Sequence, residues 1–146
     1  MSQQPEIQPN YEQRFNASVE RVIGNGSYNV DLIDNFYRIF FSKSDVVAQL
    51  FAHTNMSAQK TMLHDSLDSL MEFSRTKQIT PALEKIAAAH GRTKSNVPLY
   101  LFDIWLDSLM EAFYQQDAGF TVEDELAWRL MLSPGITYIK FVCKNN

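Results

Sequence analysis

The stretch TPALEKIAAAH, which runs from Thr80 to His90, contains the signals for a complete short helix. Thr80 is of a residue type that caps helix N-termini, and Pro81 is favoured at the first helical position. Gly91 follows directly, and glycine is common just past the C-terminus of a helix. We therefore predict a helix that begins at Pro81, runs to about His90 and stops near Gly91, so that a histidine lies at its C-terminal end.

Helical spacing of apolar residues continues on both sides of this segment. Breaks between helices are expected at residues 24–26, at 42–44 with Ser44 as a candidate N-cap, and at the corner 52–55. The long helix after this corner is expected to end at about Phe73. The predicted helices accordingly begin at Tyr11, Val30, Asp45, Met56, Pro81, Pro98 and Thr121.

The last predicted helix begins with a recognisable cap. Thr121 and Asp124 have the spacing of a capping box, with aspartate in place of glutamate. Pro134 and Gly135 predict a kink or a local break further along. Residues 138–142 would suit a strand in isolation, but a lone strand would have no partner. We therefore predict an all-α protein with six to eight helices, which is not a simple four-helix bundle.

Length and charge restrict the classes of function. A chain of 146 residues favours one domain, which we place at residues 11–146, after a polar lead-in at 1–10 that we expect to be disordered. The net charge is −4 and basic residues are scattered. This argues against nucleic acid as a partner, because phosphate binding needs a concentrated basic face. No apolar run approaches the roughly 20 residues that span a bilayer, so we expect no membrane partner.

The sequence contains few candidates for covalent catalysis. Cys143 is the only cysteine, so an intramolecular disulfide is impossible. With no recognisable signal peptide, this predicts a cytoplasmic protein. No base lies near Cys143 in the sequence, so we do not expect it to be a nucleophile. The sequence also lacks the G-x-S-x-G, H-E-x-x-H and C-x-x-C motifs.

The three histidines are His53, His64 and His90. None of them pairs with another at the helical spacings that favour joint zinc ligation. His90 differs because the turn before it, residues 86–89, is rich in alanine. Small side chains there would let a flat, bulky group lie against the helix while the imidazole offers it a nitrogen. The alternative is a packed or C-capping histidine, favoured by the helix dipole.

Four further residues allow two interpretations each. Tyr37 lies on a very apolar helix, where a buried phenol needs a hydrogen-bond partner. Gln59 and Leu63 lie one turn apart on the same face of the long helix, and Phe51 lies at the preceding corner. These residues either line a shared pocket, or Tyr37 and Gln59 reach solvent while Phe51 and Leu63 belong to the core.

Taken together, these residues resemble the globin family, and specifically its bacterial single-domain members with the three-over-three helical fold. The resemblance covers roughly residues 11–142. The order and spacing of its segments make it specific, rather than any one segment. The strongest segments are Phe36-Tyr37, Leu50-Phe51, Gln59 to Leu63, Ile86 to His90, and Pro98 to Leu109.

The resemblance implies a protein that carries haem b and reversibly binds oxygen or another diatomic gas. His90 matches the proximal ligand of the haem iron, and Phe51 matches the phenylalanine that wedges the haem at the corner. Tyr37 and Gln59 match the distal pair that donates hydrogen bonds to the bound gas. Leu63 matches the apolar residue beside the gas. The other implied haem contacts are Ile86, Val97 and Tyr100.

The distal residue has an alternative in His64. This histidine lies about 140° around a helix from Gln59, so the two cannot face the same iron. The spacing from Phe51 favours Gln59. If the helix slides, His64 becomes the distal residue and can even ligate the iron. His53, near the corner, is expected to face water rather than a haem propionate.

Two departures from flavohaemoglobins, the relatives that carry a reductase module, affect the expected activity. Their last helix has a glutamate near the proximal histidine, whereas residues 140–146 here contain no carboxylate side chain. The chain also ends where their reductase module begins. Nitric oxide dioxygenation, an enzymatic function for the same pocket, would therefore need an external reductase.

The resemblance is also compatible with two functions that involve no catalysis. One is a gas sensor that acts through a separate output partner. The second is a haem-free, globin-like interaction module, against which the presence of His90 together with Tyr37, Phe51 and Gln59 argues. In each case we expect the protein to be a monomer or a homodimer.

Overall fold

The computed structural model describes residues 10–23, 30–91, 94 and 96–145. These residues form helices and turns and contain no strand, which confirms the all-α prediction. Most of the predicted lead-in, residues 1–9, and the predicted break at 24–26 lie outside the described residues. The helices are α1 (Tyr11–Ile23), α2 (Val30–Lys43), α3 (Asp45–Leu50), α4 (Met56–Thr76), α5 (Pro81–Ala89), α6 (Tyr100–Gln116) and α7 (Val122–Asn145).

Three of the helix caps are those that the sequence predicts. The Ser44 side chain accepts hydrogen bonds from the first free N–H groups of α3, and Thr80 does the same for Leu83 in α5. At the start of α7, the backbone N–H of Thr121 donates to Asp124 and that of Asp124 donates to the Thr121 hydroxyl. These bonds satisfy N–H groups that have no partner inside the helix, and they fix where each helix begins.

Two helix bounds differ from the predictions by more than one residue. Helix α4 continues to Thr76, three residues beyond the predicted end, because Lys77 adopts the left-handed conformation (φ 57°) and its N–H reaches the carbonyl of Phe73 at 2.7 Å. Helix α6 begins at Tyr100 rather than at Pro98. The turn before it brings the Leu101 N–H to the Pro98 carbonyl at 3.1 Å.

Helix α7 runs without interruption through Pro134 and Gly135, so the predicted local break is absent. Residues 138–142 are helical rather than extended. Proline removes one N–H from a helix, and the packing of the helix can outweigh that loss. Helix α7 packs closely against α4 at Gly135. A Cβ atom at this position would stand 2.4 Å from the Cδ2 atom of Leu70.

The core joins the two ends of the chain. Helices α1, α4 and α5 pack against α7, and α2 packs against α6. The fully buried Trp128 of α7 lies with its ring centroid 4.6 Å from Phe15 and 4.4 Å from Phe113. Its indole N–H donates to the buried Ser18 hydroxyl at 2.8 Å. Among the described helices, none is both long enough and apolar enough to cross a membrane.

Candidate functional site

A cavity of about 360 Å³ lies among helices α2 to α7. Its walls are mostly apolar, with aliphatic and aromatic side chains from every one of these helices. The polar side chains in the lining, apart from the indole of Trp105, are those of Tyr37, Thr54, Gln59, Ser66 and His90. A mostly apolar cavity with a few convergent polar groups is typical of a site for an apolar cofactor or small molecule.

His90 lies at the C-cap of α5, and the end of this helix holds its ring. The Nδ1 atom lies 2.7 Å from the carbonyl oxygen of Ile86, one turn earlier. A carbonyl oxygen can only accept a hydrogen bond, so Nδ1 must carry the proton. In the neutral ring Nε2 then has a free lone pair, which is the state in which histidine ligates a metal.

The backbone of His90 is also fixed from both directions. Its N–H donates to the Ala87 carbonyl at 3.2 Å, and its own carbonyl accepts from the Val97 N–H at 3.1 Å. Asn96 takes a left-handed conformation (φ 51°), and its N–H donates to the carbonyl of Gly91 at 2.8 Å. This arrangement brings Val97 back against the histidine, in the cavity lining.

Tyr37 and Gln59 form a hydrogen-bonded pair in the lining. The Gln59 amide donates to the Tyr37 hydroxyl at 3.2 Å, and the phenol donates in turn to the Gln59 backbone carbonyl at 3.4 Å. Burial raises the pKa of Tyr37 to about 12, although the hydrogen bond from Gln59 acts in the opposite direction. The phenol therefore remains protonated, and able to donate, across the physiological pH range.

The register that places Gln59 in the lining is set by the start of α4. Asn55 is the N-cap, and its side chain accepts from the Ala58 N–H at 3.1 Å. The Gln59 N–H then donates to the Asn55 carbonyl at 3.0 Å. Leu63, one turn later on the same face, is buried and also lines the cavity.

Aromatic rings surround the Tyr37 phenol. The Phe51 ring centroid lies 6.1 Å from that of Tyr37 and 5.5 Å from that of Phe41, at the corner after α3. Phe36 contacts Tyr37 on another side, at 4.9 Å. The phenol is thus held among apolar neighbours, with Gln59 supplying its polar contacts.

The structure brings together seven of the eight haem contacts that the family resemblance implies. These are Tyr37, Phe51, Gln59, Leu63, Ile86, His90 and Val97. Tyr100 does not line the cavity, and 51% of its surface is exposed. Tyr100 is the first residue of α6, since this helix begins two residues later than predicted, and its side chain lies outside the cavity lining.

The other two histidines lie outside the lining. His64 is only partly buried, and its Nδ1 atom lies 3.5 Å from Asp68 and 3.6 Å from Asp65. It is on the side of α4 that carries these acidic residues, whereas Gln59 is on the side that meets the cavity. His53, at the corner, is exposed.

More than half of the cavity wall was not predicted from the sequence. The helical spacing of apolar residues on α6 and α7 does mark an apolar face, but this periodicity does not tell a cavity wall from a close-packed core. The lining residues that were not predicted are Phe40, Val47, Leu50, Thr54, Met62, Ser66, Leu70, Ala89, Leu101, Phe102, Trp105, Ile136 and Ile139.

Cys143 lies close to the histidine helix but outside the lining. It is a buried free thiol whose sulfur lies 3.8 Å from the carbonyl oxygen of Ala87. Burial raises its pKa, so the thiol stays protonated and unreactive.

Comparison with known proteins supplies the family. No protein-family model matches the sequence, and no curated protein sequence matches it. The structure is similar to the crystal structure of PA3967 from Pseudomonas aeruginosa PAO1, a protein described as structurally highly homologous to a human haemoglobin. The TM-score is 0.82 at 30% sequence identity, and the match covers 92% of this chain and 98% of that one. The chain belongs to the globin family.

Proposed function

We propose that this globin binds haem through the Nε2 atom of His90 and reversibly binds a diatomic gas, with oxygen as the expected ligand. Membership of the globin family supports haem as the cofactor. The observation that carries the proposal is the 2.7 Å contact between His90 Nδ1 and the Ile86 carbonyl. It holds the ring in the tautomer that leaves Nε2 free to ligate, at the wall of an apolar cavity.

The residues of the cavity fit haem. A single imidazole on a mostly apolar wall, with no carboxylate among the described lining residues, is the donor set of a haem pocket rather than of a hydrated metal site. The small side chain of Ala89 lies in the lining directly before the histidine. Phe102 lies beside the imidazole, with a centroid separation of 5.7 Å, and Phe51 provides a ring at the corner. We propose haem b, because Cys143 lies outside the lining and the sequence offers no pair of thiols for covalent attachment.

Ferrous haem, when bound, would supply an open coordination position for a diatomic gas. The chain supplies two hydrogen-bond donors in the cavity lining, the Tyr37 phenol and the Gln59 amide. Both would have to turn from each other towards the gas, and the long 3.4 Å bond from the phenol makes that turn inexpensive. Burial of Tyr37 lowers the local dielectric around the pair, which strengthens each remaining hydrogen bond.

An absorption spectrum tests the cofactor. We expect the purified protein, or the protein after addition of haem, to show a Soret band that shifts on reduction and again under carbon monoxide. His90→Ala should lose most of this band, because the imidazole is the ligand. His53→Ala is the matched control, since His53 is exposed and outside the lining, and it should keep the band. A wild-type protein with no Soret band after haem addition, or a His90→Ala spectrum equal to the wild type, would overturn the proposal.

A further inference from the structure

Met62 combines two properties that no other described methionine has. It lines the cavity, and 54% of its surface is exposed. Leu50, from the end of α3, shares both properties, with 40% of its surface exposed. Both side chains therefore belong at once to the cavity lining and to the exposed surface, so a thioether lies where the cavity meets solvent.

The remaining described methionines are less exposed. Met71 and Met110 are buried, and Met56 and Met131 are half-buried. The Met131 sulfur also accepts a hydrogen bond from the Ser74 hydroxyl at 3.6 Å, which engages one of its lone pairs. Oxidation of a thioether needs direct access of the oxidant to the sulfur, so exposure sets the order of reaction.

We propose that Met62 is the preferred site of sulfoxide formation by peroxides in the described part of the chain. The sulfur lone pair attacks the hydroxyl oxygen of the peroxide, the O–O bond breaks, and an S–O bond forms. The departing hydroxide or alkoxide takes the proton from the transferred oxygen and leaves as water or alcohol. The sulfur is oxidised by two electrons and the peroxide is reduced by two, so no other reactant is needed.

The modification would act on the Tyr37–Gln59 pair. Met62 lies three residues after Gln59, so the two side chains are neighbours on the surface of α4. A thioether is a weak hydrogen-bond acceptor, whereas the sulfoxide oxygen is a strong one. The oxidised side chain would therefore compete with the Tyr37 hydroxyl for the Gln59 amide, which now donates to it at 3.2 Å. It would also add a polar group where the cavity meets solvent.

Peptide mass spectrometry tests the oxidation itself. The purified protein is treated with tert-butyl hydroperoxide, and the gain of one oxygen is followed over time at each methionine. We expect Met62 to react at least about threefold faster than Met56, and Met110 to react last. If Met56, Met131 or Met110 reacts as fast as Met62, the proposal is wrong. This experiment does not depend on haem, so its result is independent of the proposed function.

The effect on the distal pair rests on the proposed function and needs the haem-loaded protein. The dissociation rate of the gas is measured before and after peroxide treatment in the wild type, in Met62→Leu and in the matched control Met56→Leu. We expect peroxide to change the rate in the wild type and in Met56→Leu but not in Met62→Leu, and a methionine sulfoxide reductase to reverse the change. An equal change in Met62→Leu would overturn the coupling. Failure of haem binding would appear separately, as a missing Soret band.

Discussion

The Nδ1 atom of His90 lies 2.7 Å from the carbonyl oxygen of Ile86, in the last turn of α5. This carbonyl belongs to the turn that ends the helix, where backbone acceptors lack their usual N–H partners. The imidazole supplies the missing donor and at the same time acquires a fixed tautomer. One hydrogen bond thus both caps the helix and orients the ring, and the two interpretations of His90 that the sequence allows, capping residue and ligand, are compatible.

The role proposed for His90 depends only on its imidazole ring, so free imidazole should be able to replace the side chain. We expect His90→Gly to lose most haem binding and to regain a Soret band when free imidazole is added, since the small molecule can occupy the space of the deleted side chain. Circular dichroism should show that the helices persist. A variant that binds haem equally well with and without imidazole would contradict ligation by His90.

The Tyr37 phenol is expected to retain the gas. Removal of one hydrogen bond to a ligand costs about 1 kcal/mol, so Tyr37→Phe should speed gas dissociation by about fivefold. Tyr114→Phe is the matched control, because that phenol is exposed and bonds to Glu125 instead. Stopped-flow displacement of the gas by carbon monoxide gives the rates. An unchanged rate in Tyr37→Phe would remove this residue from the mechanism and leave the fold untouched.

Because the pKa of Tyr37 is raised, we expect the stability of the fold to fall at high pH. The phenol ionises at about 10 in the unfolded chain and at about 12 in the folded protein. Below pH 10 the phenol is protonated in both the folded and the unfolded state, so its contribution to the free energy of unfolding is fully present. As the pH rises from 10 to 12 the unfolded chain loses its proton first, so the folded state loses up to about 2 to 3 kcal/mol.

Urea unfolding at pH 8, 10 and 11.5 measures this loss. We expect Tyr37→Phe to show a smaller fall in the free energy of unfolding over this interval than the wild type, because phenylalanine has no proton to lose. Tyr114→Phe again serves as the control. Identical pH dependence in the wild type and Tyr37→Phe would mean that the phenol is not held in its protonated form by burial.

The close approach of α7 to α4 should make Gly135 sensitive to any side chain. A Cβ atom there would lie 2.4 Å from Leu70 Cδ2 and 3.5 Å from its Cα. Overpacking of this kind costs about 1 to 3 kcal/mol, so we expect Gly135→Ala to lower the free energy of unfolding by that amount. Leu70 lines the cavity, so its displacement should also weaken haem binding.

Two variants check the cause of that loss. Gly119→Ala is the control, because a Cβ atom at Gly119 meets nothing closer than 3.5 Å, and its stability should change little. Adding Leu70→Ala to Gly135→Ala removes the clashing atom, so the double variant should be less destabilised than the sum of the single variants. If the changes in the free energy of unfolding are strictly additive, contact with Leu70 does not explain why position 135 requires glycine.

The starts of α3, α5 and α7 could be predicted from the sequence because capping is local chemistry. Ser44 and Thr80 each need only a neighbouring N–H, within three residues of themselves. The uninterrupted course of α7 through Pro134 could not be predicted, because it depends on packing against α4 and α5. Similarly, the face of α6 that carries Trp105 is apolar in the sequence, but whether such a face meets a void or another helix is decided by tertiary structure.

The register of α4 can be tested with variants of its histidine and its N-cap. The N-cap at Asn55 fixes the start of this helix and thereby turns Gln59 towards the cavity and His64 towards Asp65 and Asp68. We therefore expect His64→Ala to leave the ferric and ferrous haem spectra unchanged, whereas Gln59→Ala should alter the gas dissociation rate. A ferrous spectrum that is six-coordinate in the wild type and five-coordinate in His64→Ala would show that the helix slides when haem binds. Such a slide would have to break the cap at Asn55, so Asn55→Ala should then shift the same equilibrium further towards the six-coordinate form.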